Sequence, residues 1–309
     1  MNRCPITYES CGENKYSKTG LRLLSPRLQH LNDLPLNKEE QLTLALEFAD
    51  KLSFSGVQRK LSARLSISKQ IFEIIMKGGN FIIKPQSPDY KELPQNEDLT
   101  MKLADSVGIH TPLHGLMYCS DNSLSYFIKR FDRQTKGEKI AVEDFAQLAG
   151  VSRDTKYDFS MERVIPLIEK LCTFPFIEKK KFFLLTLFSF LIGNEDLHLK
   201  NFSLIYQGQK IEFSPAYDLV NSSIVIKTTE ELALPLRGKK SRFNRADFVE
   251  YFGKERLQLT SETIQEILHR LENAFDSWNH LIEMSFLSSS QKEAYLDLIK
   301  NRFSRIFKQ

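Results

Sequence analysis

The chain has 309 residues, 41% of them hydrophobic and 27% charged, with 43 lysines and arginines against 39 aspartates and glutamates for a net charge of +4. That is an ordinary globular composition, and so small a basic excess, spread along the chain, does not argue for nucleic acid binding. The most apolar uncharged run, Phe182 to Asn194, is thirteen residues, where a bilayer helix needs about 20 apolar ones. The N-terminus has no apolar stretch behind Arg3, so the sequence predicts neither a membrane span nor a secretory signal, and a cytoplasmic protein is expected. Four cysteines make no disulfide framework. Cys119 and Cys172 lie in or beside apolar runs and read as buried thiols, while Cys4 and Cys11 lack the second pair of ligands a structural zinc needs.

In chain order, Asn37 followed by Glu40 resembles a capping box, and Leu42, Leu44, Leu46, Phe48 and Leu52 supply a helix ending near Ser53 and leading into a turn that holds Gly56. From Leu61 to Lys84 the pattern shifts to short β runs, ARLSI, IFEIIM and FIIK, separated by SKQ and by Gly78, Gly79 and Asn80. Glu97 to Val107 reads as a helix, and Leu113 to Tyr118 and Leu124 to Phe131 as two more strands. Beyond Glu143 the period is helical, in DFAQLAG, MERVIPLIEKL, EKKKFFLLTLFSFLIG and late segments around Thr260 to Trp278 and Gln291 to Phe307. FSLIY and KIEFS interrupt the helices as a hairpin. The expected class is α+β, bilobed and protein-kinase-like, with a small β-rich N-lobe over residues 1–130 and a larger helical C-lobe over 131–309 forming one domain. Residues 1–36 and the helices after 255 carry no functional signal and read as lobe supports.

A β lobe joined to a helical lobe suggests a nucleotide held in the cleft, but only side chains can establish chemistry. After the most apolar helix comes GNEDLHLKNFS, in which Asp196 and Asn201 are separated by four residues. This is the D-x-x-x-x-N spacing of a kinase catalytic loop. Phosphoryl transfer needs a carboxylate to orient and deprotonate the attacking hydroxyl and oxygen ligands for Mg²⁺, and one loop can supply both. The hairpin leads to Asp218, placed like the second metal-binding carboxylate of kinases, although no Phe-Gly follows it. Upstream, Lys84 ends the strand FIIK, where an ammonium can reach ATP phosphates, and Glu97 on the next helix is a candidate ion-pair partner. Each feature recurs by chance. Their joint order is what points to a phosphotransferase.

The segments SFSGVQRKLS (53–62), FIIKP (81–85), QNEDLTMKLADSVGIHTP (95–112), IKRFDR (128–133), EDFAQLAGV (143–151), IGNEDLHLKNFSLI (192–205), FSPAYDLV (213–220) and LALPLRGKK (232–240) resemble those of HipA-type serine/threonine kinase toxins. Because the chain begins close to its Gly-containing loop, it looks most like HipT, the short kinase of HipBST toxin-antitoxin systems. The resemblance implies Asp196 as catalytic base, Asn201 and Asp218 as Mg²⁺ ligands, and Lys84 on the ATP phosphates. It adds nucleotide contacts from Ser55, Gly56, Val57, Gln58, Arg59 and Lys60 in the loop. Lys129, Arg130 and Phe131 would serve at the hinge, with adenine read by backbone groups of Lys129 and Phe131, and His198, Leu199, Lys200 and Tyr217 in the C-lobe. It also implies autophosphorylation of Ser53 or Ser55, which would place about −1.5 to −2 charge beside the ATP phosphates.

The implied partners are a helix-turn-helix HipB-like antitoxin, a small HipS-like protein, and DNA only through the antitoxin. The implied substrate is a serine of an aminoacyl-tRNA synthetase, tryptophanyl or glutamyl. Two other readings share the residues. One is a small-molecule phosphotransferase of the aminoglycoside type, and the other a kinase-fold scaffold holding an antitoxin on DNA.

Overall fold

The structure is a computed structural model that describes residues 2–52, 59–134, 138–151, 158–226 and 228–308. The chain forms two compact units. The first comprises Met1–Leu99, Pro112–Glu138 and Met284–Leu287, and the second Thr100–Thr111, Lys139–Glu283 and Ser288–Gln309. This differs from a single cut after residue 130, because the dividing line falls inside a helix and short pieces of chain cross it in both directions.

In the first unit, β1 (Asn2–Arg3) and β2 (Ser10–Gly12) form a small hairpin, followed by α1 (Lys18–Leu24) and α2 (Lys38–Leu52). The capping box on α2 is formed as the sequence predicts. Asn37 Oδ1 accepts the N–H groups of Glu39 and Glu40 at 2.9 Å, and Glu40 Oε2 accepts the N–H of Asn37 at 2.8 Å. Strands β3 (Leu61–Ser66), β4 (Ile71–Ile74) and β5 (Phe81–Lys84) follow. Helix α3 (Leu93–Ser106) then precedes β6 (His114–Tyr118) and β7 (Leu124–Lys129). The five strands β3–β7 make one antiparallel sheet in the order β4-β3-β5-β7-β6, with β5 central.

One face of that sheet is filled by Phe72, Phe81 and Phe127, whose ring centroids lie 5.0 to 6.2 Å apart. Leu28, Leu31 and Leu34 from the leading segment join the same core, so residues before 37 do act as support for this unit. Gly79 sits against β3 so closely that a Cβ there would lie 2.4 Å from Ala63 O, which explains the glycine between β4 and β5. Helix α3 starts at Leu93, four residues before Glu97, because Pro94 suits a first helical turn where no amide donor is needed.

The second unit carries β8 (Val142–Asp144), α4 (Phe145–Leu148), α5 (Met161–Leu171) and α6 (Pro175–Ile192). Then come β9 (Ser203–Gln207), β10 (Lys210–Phe213), a π-helix (Asp247–Arg256), α7 (Ser261–Asn273), α8 (Phe275–Met284) and α9 (Ser289–Phe307). The expected hairpin is β9–β10, and β8 adds to its other edge to give the order β10-β9-β8. Two features depart from the sequence reading. The π-helix has no apolar period of its own to announce it, and the segment around Thr260 to Trp278 is two helices, broken at Ala274.

From Phe182 to Ile192 helix α6 is buried at every position, the mark of a helix segment enclosed by others. Its Phe182 packs against Phe202, Phe213 and Phe252 at 5.8, 6.1 and 5.7 Å. Trp278 lies against Phe188 and Phe303 at 5.6 and 5.7 Å and donates its indole N–H to Ser106 Oγ at 3.0 Å. Phe182 is fully buried at the junction of α6 with the hairpin. Phe182→Ala is therefore expected to destabilise the protein by about 3–5 kcal/mol, read by denaturant unfolding.

Candidate active site

Helix α6 ends at Gly193, whose φ of 80° is the left-handed conformation that closes a helix and turns the chain out of it. A Cβ at this position would also lie 2.6 Å from Asn221 Oδ1 and 2.9 Å from Ser223 Oγ. Gly193→Ala is thus expected to cost about 2 kcal/mol or more, from the left-handed backbone and the crowding together. A fall in the denaturation midpoint with loss of loop order checks it.

Past Gly193, Asn194 Oδ1 accepts the N–H of Asp196 at 3.2 Å, a local turn that starts the loop. Leu197 and Leu199 are fully buried and anchor the loop from below, while the Asp196 side chain between Glu195 and Leu197 is 54% exposed. The His198 N–H donates to Asp196 O at 2.7 Å, and the Asn201 N–H to His198 O at 2.9 Å. The Asn201 side-chain amide donates to Asp196 O at 2.6 Å and reaches Asp196 Oδ2 at 3.5 Å. Its nitrogen is therefore committed to the loop, which leaves Oδ1 as the atom available to a cation. His198 Nδ1 accepts the Lys200 N–H at 3.3 Å, so a neutral ring carries its proton on Nε2, 3.7 Å from Asp196 Oδ1.

At the end of β10 the Phe213 N–H donates to the buried Glu178 Oε2 at 2.8 Å, and beyond it the Ala216 N–H donates to His110 O at 2.8 Å. The Tyr217 hydroxyl donates to Lys200 O at 3.0 Å and pairs with Ser203 Oγ at 2.5 Å. Those bonds tie the stretch before Asp218 to the end of the loop that carries Asp196, and burial pushes the Tyr217 phenol well up. Asp218 itself has φ 55°, a left-handed backbone for a non-glycine residue. Strain of this kind persists where the surroundings enforce it, often at functional sites. An amide oxygen at Asn201 and a carboxylate at Asp218 are hard donors of the kind Mg²⁺ takes, one or two carboxylates sufficing when phosphates complete the shell. These residues fit the ion in donor chemistry.

In the first unit, Lys84 Nζ lies 2.5 Å from Glu97 Oε1, with Lys84 4% and Glu97 0% exposed. The ammonium also lies 5.7 Å from the Tyr126 ring centroid. A second pair sits in the same unit, His114 Nδ1 at 2.8 Å from Asp98 Oδ1.

The other predicted contacts divide. Ser53, Ser55, Gly56, Val57 and Gln58 lie outside the described residues, and Arg59 and Lys60 are exposed just before β3. At the expected hinge, the Lys129 N–H donates to Leu113 O at 2.8 Å and the Arg130 N–H to Asn80 O at 2.9 Å. The Lys129 amide is thereby a sheet donor, and any adenine contact by this residue falls to its carbonyl. The Arg130 guanidinium forks onto Asp132 at 2.7 and 2.9 Å, and Phe131 is half-buried. The buried Leu199 side chain leaves that residue only backbone groups for a ligand.

Sequence reasoning missed a network beneath the loop. The Arg302 guanidinium on α9 donates to Phe190 O at 2.6 Å, Glu195 Oε1 at 2.8 Å and Ser223 Oγ at 3.2 Å. Burial pushes the Glu195 carboxyl up, against the pull of Ser223 and Arg302, and pushes the Arg302 guanidinium down. The one signal in the sequence was a basic residue at a core-facing position among Tyr295, Ile299, Phe303 and Ile306.

Comparison with known proteins bears on this arrangement. The HipA-like C-terminal domain matches residues 52–278, well over half of the chain. The chain belongs to the HipA-like family. A Haemophilus influenzae protein named "Putative kinase" is 26% identical over 343 aligned residues, covering 99% of this chain and 96% of that protein. "Putative kinase Y4dM" of Sinorhizobium fredii is 32% identical, covering 80% of this chain and 64% of that one. The serine/threonine-protein kinase toxin HipA of Shewanella oneidensis is 27% identical, and the aligned region spans 47% of its length.

Among solved structures, HipA of Shewanella oneidensis in complex with HipB and operator DNA matches with a TM-score of 0.70 at 22% identity, covering 90% of this chain and 72% of that one. The Helicobacter pylori proinflammatory kinase CtkA matches with a TM-score of 0.53 at 16% identity, covering 73% and 87%. These likenesses give the HipA-like chain a kinase-like fold of mixed helix and sheet, and the names of its relatives support a HipA-like kinase. Among the described residues no helix is long and apolar enough to cross a membrane, and no group of three or more His, Cys, Asp or Glu side chains is placed to hold a metal.

Proposed function

We propose that this HipA-like chain is an ATP-dependent serine/threonine protein kinase that transfers the γ-phosphoryl of ATP to a protein serine. The observation that carries the reading is the catalytic loop, in which Asp196 is exposed on a segment pinned by Leu197, Leu199 and the Asn201 side chain. Asp196 orients the acceptor hydroxyl and takes its proton, and Asn201 and Asp218 hold Mg²⁺. Bound Mg²⁺ supplies charge neutralisation for the transferring phosphoryl group. Lys84, oriented by Glu97, engages the ATP phosphates. Positioning and electrostatics supply most of the rate.

The rest of the reading comes from the family. Nucleotide contacts extend over Ser55 to Lys60, Lys129 to Phe131, His198 to Lys200 and Tyr217. Ser53 or Ser55 is autophosphorylated, and the added charge repels ATP phosphates. The substrate is an aminoacyl-tRNA synthetase, tryptophanyl or glutamyl, in the cytoplasm. The partners are a HipB-like antitoxin, which brings DNA near the kinase, and, as in the HipT kinases, a small HipS-like protein.

Incubating the purified protein with labelled ATP, Mg²⁺ and each synthetase in turn, with an aminoglycoside as control, tests this directly. Label on a synthetase serine and on Ser53 or Ser55 is the expected result. Label on the aminoglycoside alone would overturn the protein-kinase reading, and equal transfer by Asp and Ala variants at both loop serines would overturn the switch.

A further inference from the structure

The loop that carries Asp196 is also held by an arginine of the last helix. Arg302 is 6% exposed, and its guanidinium lies 5.2 Å from the Phe190 ring centroid while donating to Phe190 O at the end of α6. Its other nitrogen reaches Glu195 Oε1, which also takes a 2.5 Å hydrogen bond from Ser223 Oγ. Glu195 is bonded through its backbone as well, its N–H donating to Ser222 Oγ at 2.8 Å, and Ser222 Oγ in turn to Gly193 O at 3.2 Å. The loop is thus fixed at Gly193 and at both the main chain and the side chain of Glu195.

Glu195 immediately precedes Asp196, so a rotation of residue 195 turns the carboxylate of residue 196. Arg302 occupies a position where a helix facing a core ordinarily carries an apolar residue. The guanidinium pairs there with a Glu195 side chain only 6% exposed, a carboxylate that would otherwise be a charge out of water.

We propose that Arg302 is a positioning residue for phosphoryl transfer, holding Glu195 so that the Asp196 carboxylate keeps the orientation that catalysis needs. The consequence for rate rests on the kinase reading above, while the consequence for loop order does not. Arg305, three residues on, puts both its terminal nitrogens on Glu231 at 2.5 and 2.9 Å and its Nε on Phe243 O at 3.0 Å, and its guanidinium shares the Phe190 ring with Arg302 at 5.1 Å from the centroid.

The test compares wild type with Arg302→Lys, Arg302→Met and the double variant Arg302→Met with Glu195→Leu, which removes the stranded buried carboxylate. Amide hydrogen exchange reads the loop without reference to activity, and kcat and the ATP KM read the chemistry. Arg302→Met is expected to speed exchange at Glu195 and Asp196 while the β9 amides stay protected. It is expected to lower kcat about 10- to 100-fold, the effect of a misplaced reacting group, with the ATP KM within about threefold. Arg302→Lys, which reaches one partner at a time, should fall between the two and covers the case in which the methionine variant does not fold. The double variant should regain stability but neither loop protection nor kcat.

If it regains all three, or if Arg302→Met leaves both exchange and kcat at wild-type values, Arg302 is packing only and the proposal fails. Absence of transfer from wild type would overturn the kinase reading instead, and loop exchange would still decide whether Arg302 orders Asp196.

Discussion

Asp196→Asn is expected to lower kcat for phosphotransfer by about 10² to 10⁴, the usual contribution of a positioned general base, while ATP binds with unchanged affinity. The substitution is nearly isosteric, and the Asp196 backbone carries the contacts that organise the loop, accepting from His198 N–H at 2.7 Å and from the Asn201 side chain at 2.6 Å. The side chain itself is 54% exposed, so stability should change by less than about 0.5 kcal/mol. Steady-state kinetics beside a thermal melt separate the two quantities. A variant that melts earlier and loses rate in proportion would mean that Asp196 serves the loop and not the reaction.

Lys84→Met should do the opposite to stability. Lys84 and Glu97 form a pair 2.5 Å apart with Glu97 fully buried, and removing one partner of such a pair typically costs about 3–5 kcal/mol because the remaining charge is still out of water. Adding Glu97→Leu should restore most of that stability, since a buried pair can be replaced by apolar side chains at little cost. It should leave phosphotransfer as low as in the single variant, because the ammonium proposed to meet the phosphates is still missing. Denaturant unfolding and kinetics on the single and double variants check this. Recovery of activity with stability would show that Lys84 has a structural role alone.

The parts of this site that could be read from sequence are those in which chemistry and spacing are local. Asp196 and Asn201 are five positions apart in one loop, and Lys84 closes a four-residue strand whose apolar run is plain. The capping box at Asn37 and the β9–β10 hairpin were legible for the same reason, because their signals lie within a few residues. What could not be read depends on partners far away in the chain. Strand β8 is three residues long and exists because it pairs with β9, in the register Val142 to Ile205, Glu143 to Leu204 and Asp144 to Ser203. The π-helix at Asp247–Arg256 brings Gly253 so close to α7 that a Cβ there would lie 2.8 Å from Ile264 Cδ1, a packing constraint with no period in the sequence.

Arg302 lies 107 residues from the glutamate it holds. The dividing line between the units falls at Leu99 and Thr100, inside a helix whose period runs unbroken through it. Tyr217 was assigned to the nucleotide by resemblance, and its hydroxyl bonds to Lys200 and Ser203 give it a place in loop architecture that spacing alone does not reveal.

The most direct measurement is transfer of label from γ-labelled ATP to protein in a cytoplasmic extract with Mg²⁺, wild type and Asp196→Asn side by side, with the modified residues mapped by mass spectrometry. The account predicts phosphoserine on an extract protein with wild type and none with the variant. An unphosphorylated wild type that binds ATP yet transfers nothing to any protein would contradict it, and would favour a small-molecule acceptor or a kinase fold used as a scaffold.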